Sequence, residues 1–253
     1  GAAGGGSSGE GGSTTSQGGG PSATTSGAGG SSSAQGGAGG GSSGQGGGAP
    51  LDGYGSLSGA CGAIDLEDLV SPQPQLLESA LDFSGEAPVM ASDLSPGGQV
   101  MLAAGNLGGS SLYSEIFAYE ALYRCDGAAL LKTEGEITYA TQSKKTDILL
   151  EIDGTKVGVS VVRAMSYPEG APYPTTQAKT VIEGKLADIL LSSASVAPAD
   201  AWEKQILAVL AQTPDHALAV AEAWAQIDPA VRADTIVFVT VTEGADQFIY
   251  YGM

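Results

Sequence analysis

The dipeptide Asp153-Gly154, set between two runs rich in Val, Ile and Leu, constrains this chain more than any other feature. Asp-Gly flanked by such runs is the favoured two-residue turn of a β-hairpin, because both turn positions need a positive φ. The arms are Thr146–Ile152 and Val157–Arg163. If Ile152 pairs with Thr155, then Leu150 faces Val157 and Ile148 faces Val159, and one side is wholly apolar. On the other side Asp147 faces Ser160, Glu151 faces Lys156 and Lys145 faces Val162. A slip of one residue would destroy this division.

Around the hairpin the periodicity predicts further elements. Leu112, Ile116, Tyr119 and Tyr123 share one face of a helix over 111–124, which Gly127 stops. Glu136–Tyr139 reads as a strand before the hairpin. A loop with Pro168, Pro172 and Pro174 leads into a helix over 176–191, with Val181, Leu186, Ile189 and Leu190 as its apolar set. Trp202–Leu210 reads as helix or strand. Ala217–Ile227 reads as a helix, Thr235–Thr242 as a buried strand and Gln247–Tyr251 as a last strand. The order predicts an α/β fold with a mixed sheet and an antiparallel hairpin at its centre.

The first half of the chain differs in texture. Residues 1–50 hold 22 of the 40 glycines and one charge, Glu10, with no Leu, Ile, Val, Phe, Tyr or Trp. Such a segment buries too little apolar surface to offset its chain entropy and reads as a disordered Gly/Ser-rich tether. No strict Gly-X-Y period supports collagen. Residues 51–109 read as a loosely structured lead-in. In it, 63–70 and 74–81 form helical turns, and 99–104 forms a strand or a helix turn. The glycines at 105, 108 and 109 lack the Lys-Ser/Thr and the spacing of a nucleotide loop. The folded α/β domain is expected over 110–253.

Composition narrows the partners. The 253-residue chain carries a formal charge of −18, and no basic run exceeds Lys144-Lys145. Nucleic-acid binders show a basic footprint, so the charge disfavours that partner. No apolar run approaches the ~20 residues of a membrane span. The tether resembles the stalk that follows the lipidated cysteine of bacterial lipoproteins. An exported or lipid-anchored protein is therefore expected, with a cytoplasmic location as the alternative. Cys61 and Cys125 are either two free thiols or one disulfide, the latter suiting an exported chain. They offer no zinc spacing.

Three short motifs, Ser114-Glu115 on the first helix, Thr146-Asp147 on one arm and Gly158–Met165 on the other, carry a resemblance to the PD-(D/E)xK (restriction-endonuclease-like) superfamily. A similar Gly-Val-Ser-Val stretch occurs in a divergent group of fungal, oomycete and bacterial proteins of that fold. The resemblance runs over 110–253 and implies an αβββαβ core and an Mg²⁺-dependent phosphodiesterase acting on DNA or RNA. In such enzymes acidic oxygens hold the metal, the metal activates water, and a lysine stabilises developing charge. Carried over by position, Glu115 and Asp147 are the metal ligands. Asp147, Ser160, Lys145 and Lys185 are the catalytic positions.

This chain departs from the pattern where hydrolysis needs it most. The triplet's acid position is Ser160, a poor Mg²⁺ ligand, and its lysine position is Val162. Lys145, opposite Val162, or Lys185 on the next helix would have to supply the amine, and Glu183 or Glu151 an acid. Two functions follow. One is a catalytically impaired nuclease-like domain, a pseudoenzyme used for binding or scaffolding that needs no cofactor. The other is an active Mg²⁺-dependent nuclease. The one histidine, His216, follows Asp215, a helix N-cap candidate, and gives no Ser-His-Asp pattern. Trp202 and Trp224 read as packing residues.

Overall fold

The computed structural model of the chain describes residues 55–83, 91–105 and 110–251. The tether at 1–50 and the glycines at 108–109 lie outside the described residues. In chain order the elements are β1 Ser56–Gly59, α1 Leu66–Val70, β2 Gln75–Asp82, α2 Pro96–Ala104, α3 Leu112–Asp126, β3 Ala129–Thr133, β4 Ile148–Ile152 and β5 Thr155–Ala164. They continue as α4 Thr175–Ser195, β6 Lys204–Ala211, α5 Pro214–Ala225, α6 Pro229–Arg232, β7 Ile236–Glu243 and α7 Gln247–Tyr251. The run α3-β3-β4-β5-α4-β6 is the expected α-β-β-β-α-β order.

Seven strands form one mixed sheet in the order β1-β2-β7-β6-β5-β4-β3. β5, β6, β7 and β2 run parallel, while β1, β4 and β3 pair antiparallel at the two sides. Every residue of β6 is buried, as a strand covered on both faces must be. The period of two sorts the apolar side chains into two layers. Val157, Val159, Val161, Ile206, Ala208, Leu210, Ile236 and Phe238 meet α3 and α7. Val162, Ala164, Leu207, Val209, Ala211, Val237 and Val239 meet α4 and α5. On the α3 side the rings of Phe83, Phe117 and Phe248 pack edge to face, 5.2–5.4 Å between centroids.

The hairpin has the expected register: Ile148 pairs with Val159, Leu150 with Val157, Glu151 with Lys156 and Ile152 with Thr155. It lies toward one side of the sheet, however, and β6 occupies the centre. The ladder also stops at Ile148, so Lys145 never comes opposite Val162 as a paired residue.

Other expectations are corrected. The strand before the hairpin is Ala129–Thr133, and a bulge between Leu130 and Lys132 breaks the alternation that would have marked it. Residues 136–139 instead run from a 3-10 turn to a single bridge between Tyr139 and Val196. The stretch 74–81 is strand, because the parallel ladder with β7 overrides its helix-like spacing. Gln247–Tyr251 is helix. Arg163 Nη1 donates to the carbonyls of Ile249 and Tyr250 at its end, at 3.3 and 2.7 Å. Trp202–Leu210 resolves to strand and 99–104 to helix. Thr213, not Asp215, caps α5, its hydroxyl accepting the His216 N–H.

The described residues within 51–109 therefore build the sheet through β1 and β2. A disulfide between Cys61 and Cys125 ties the turn after β1 to the last turn of α3, across a sequence separation of 64. Closing a loop of that length restricts the unfolded chain and stabilises the fold by roughly 2–4 kcal/mol. Cys61→Ser is expected to lower the unfolding free energy from urea melts by that amount, and reductant should no longer shift the midpoint. Two titratable thiols in the denatured, unreduced chain would refute the pairing.

Candidate functional site

The candidate site forms where β4 begins. Asp147 directly precedes that strand, and its N–H donates to the Val159 carbonyl at 3.1 Å. Its Oδ2 accepts the Val161 N–H at 2.6 Å, so the residue straddles Ser160 with two bonds to β5. A side chain thus replaces the next rung of the ladder, which is why pairing ends there.

Glu115 enters from the first turn of α3, a position that suits a carboxylate. It is only 7 % exposed. Burial pushes its carboxyl from 4.5 up to about 7. A hydrogen bond from Ser111 opposes that rise, the negative charges of Asp147 and Glu134 add to it, and Lys185 opposes it. The Asp147 carboxyl is also raised, first by burial. Lys185 and the Val161 N–H pull it back, and Glu134 pushes it further up. Lys185 comes from α4, the layer opposite Glu115 on α3, yet its charge acts on both Glu115 and Asp147.

Of the residues singled out by sequence, Glu115, Asp147 and Lys185 form one electrostatic cluster. Ser160 is buried on β5, 3 % exposed, between the two backbone groups that hold Asp147. Val162 packs into the α4 layer. Lys145 is exposed on the loop before β4, beside a depression lined by residues 139–143. Among the other candidate acids, Glu183 pairs with Lys179 at 2.7 Å and Glu151 lies across from Lys156. Sequence reasoning missed Glu134. It sits in the 3-10 turn after β3, and the misplaced strand concealed that turn. Its neighbours Thr133 and Glu136 form a capping box, the one local signal that could have revealed it.

The donor set can hold a proton near neutral pH at Glu115 and an ammonium beside two carboxylates. Among the described residues, no group of three or more His, Cys, Asp and Glu side chains is arranged to hold a metal ion. One Asp147 oxygen is already committed to the backbone. His216 is remote in kind: its Nδ1 bonds the Thr213 hydroxyl, its ring packs on Tyr173, and Nε2 is buried without a partner. Trp202 rests on Gly158, and Trp224 lies under the Arg232 guanidinium. Among the described residues no helix is long and apolar enough to cross a membrane.

No family model matches this chain. It is similar to the AAC-rich mRNA clone AAC4 protein of Dictyostelium discoideum, with 36 % identity over 152 residues. The match covers 58 % of this chain and 22 % of the relative, so the chain spans about a fifth of that protein's length. Among solved structures, Pyrococcus furiosus SfsA in complex with Ca²⁺ is similar at 16 % identity, covering 53 % of this chain and 57 % of that one. The TM-score is 0.27.

Glu115 makes stability depend on pH. Its folded-state value lies above the unfolded one, so the folded chain holds the proton more tightly. That contribution is complete below about 4.5 and is lost as pH rises through about 7. Glu115→Gln, neutral throughout, should be more stable than the parent at alkaline pH by up to roughly 3 kcal/mol, and equal to it in acid. Thermal melts of both chains across that range measure the difference. Parallel curves would show that Glu115 keeps its ordinary value.

Proposed function

We propose that this chain is a divergent nuclease-like domain in which the PD-(D/E)xK site no longer hydrolyses phosphodiesters and the fold serves binding or scaffolding. The αβββαβ run of α3 to β6 supports the kinship, as does an aspartate at the head of β4 bonded to β5. One observation carries the loss of hydrolysis. The β5 positions nearest Asp147 hold a buried serine and a valine, where the chemistry needs an acid and an amine.

Mg²⁺ is a hard cation that prefers charged oxygens in near-octahedral order and keeps its waters reluctantly displaced. The residues present do not fit it well. The Glu115 and Asp147 carboxyls are both raised by burial, and among the described residues no third acid joins them in a group arranged to hold a metal ion. Burial opposes the ionised form of each, the form that would bind the cation. The net charge of −18 further weakens attraction to a polyanionic substrate.

Lys185 favours a second reading, an active Mg²⁺-dependent nuclease. Its charge acts on both Glu115 and Asp147, as a lysine supplied from the following helix would. Incubation of the full chain with plasmid, linear DNA and RNA, in Mg²⁺ or Mn²⁺, separates the two. We expect no cleavage beyond that of Asp147→Ala and no Mg²⁺-dependent rise in melting temperature. Cleavage that disappears in both Asp147→Ala and Lys185→Ala would establish the enzyme.

A further inference from the structure

An apolar trough of about 420 Å³ opens between α2, the C-terminal half of α3 and β3. Val100, Tyr119, Tyr123, Leu130 and Leu131 line it, and Glu136 closes one end. A second hollow of about 280 Å³ continues from it, sharing Val100 and Glu136 and adding Glu134. Val100, Tyr123 and Leu131 are 53, 37 and 40 % exposed. Large apolar side chains gathered on one concave surface mark interaction sites more often than the same residues scattered singly.

The walls are built before any partner arrives. Glu120, fully buried, accepts the Ser95 N–H at 2.8 Å and Arg124 Nε at 3.0 Å, fixing the start of α2 against α3. Gly97 lets α2 lie directly on Tyr119, since a Cβ there would come within 2.1 Å of the phenol oxygen. Ser95 caps α2 through the Gly98 N–H. The Tyr119 and Tyr123 rings lie 5.9 Å apart, tilted by 35° to one another.

Charge decides the occupant. Glu134 and Glu136 stand at one end, and no lysine or arginine lines either hollow. Two bases on the flanking elements are engaged elsewhere: Lys132 of β3 by Asp200 at 2.7 Å and Arg124 of α3 by Glu120. A second copy of this chain would bring the same acidic end and its own charge of −18, which opposes self-association. We infer that this trough between α2, α3 and β3 docks a peptide segment of a partner protein that carries apolar side chains beside a lysine or arginine, the base meeting Glu134 and Glu136. The inference stands whether or not the Asp147 site cleaves anything, and its test uses no nuclease assay.

The probe is a short labelled peptide alternating Leu with Lys, added to the full chain and followed by fluorescence anisotropy. Two control peptides replace Leu by Ser or Lys by Glu. We expect the Leu/Lys peptide to bind and both controls to fail. Leu131→Glu and Val100→Glu should each weaken binding by about tenfold or more, the size expected of a central apolar contact. Both substitutions add negative charge, so weakening cannot come from lost attraction to Lys. Leu218→Glu, at an exposed leucine outside the trough, should change nothing, and circular-dichroism melts identify any variant that fails to fold. Equal binding of the Ser/Lys peptide, binding of the Leu/Glu peptide, indifference to both trough variants or no binding at all would each overturn the inference. So would a sedimentation dimer that Leu131→Glu dissociates, because the occupant would then be a second copy.

Discussion

Asp153 and Gly154 both take positive φ, 48° and 78°, the pair that a two-residue turn joining two twisted strands demands. That turn sets the register of β4 against β5, and the register assigns each residue to a layer. Val157, Val159 and Val161 go to the α3 side, Val162 and Ala164 to the α4 side. Asp147 then falls at the point where the ladder ends, where its charge reaches Glu115 on α3 and it feels Lys185 on α4. A shift of one position would send the valines to the wrong core and the aspartate away from its two backbone partners.

Two buried carboxylates on the same helix have opposite surroundings. Glu120 is matched by Arg124 and a backbone N–H, so its charge is compensated inside the fold. Glu115, one turn earlier, shares Lys185 with Asp147, while the negative charge of Glu134 works against both. Under-compensated acids of this kind gather at functional sites more often than elsewhere, although structural ion networks also perturb acidities. The electrostatics therefore mark a location without naming its chemistry.

The hairpin, the first long helix and the last buried strand were legible in sequence because each depends on neighbours a few residues away. An Asp-Gly turn, a 3.6-residue period and a run of β-branched residues are local signals. β2 was not legible, since Gln75–Asp82 becomes strand only by pairing with β7. β3 was hidden by its bulge, and α7 by aromatic residues that favour strands in isolation. The site divided along the same line. Glu115, Asp147 and Lys185 followed from motif positions on well-read elements. Lys145 depended on a ladder continuing past Ile148, and Glu134 on a turn whose strand had been misplaced.

The position of β2 bears on how such a chain is assembled. Ser79 meets Thr240 across 161 positions of sequence, side by side inside the sheet. An early segment must therefore wait for one synthesised 161 residues later before either finds its partner. Folds dominated by such distant pairings form slowly, because loop-closure entropy is lost before the contacts compensate it. Until β7 emerges, the nascent chain presents β6 with an open parallel edge, the kind of surface that chaperones bind and aggregates recruit.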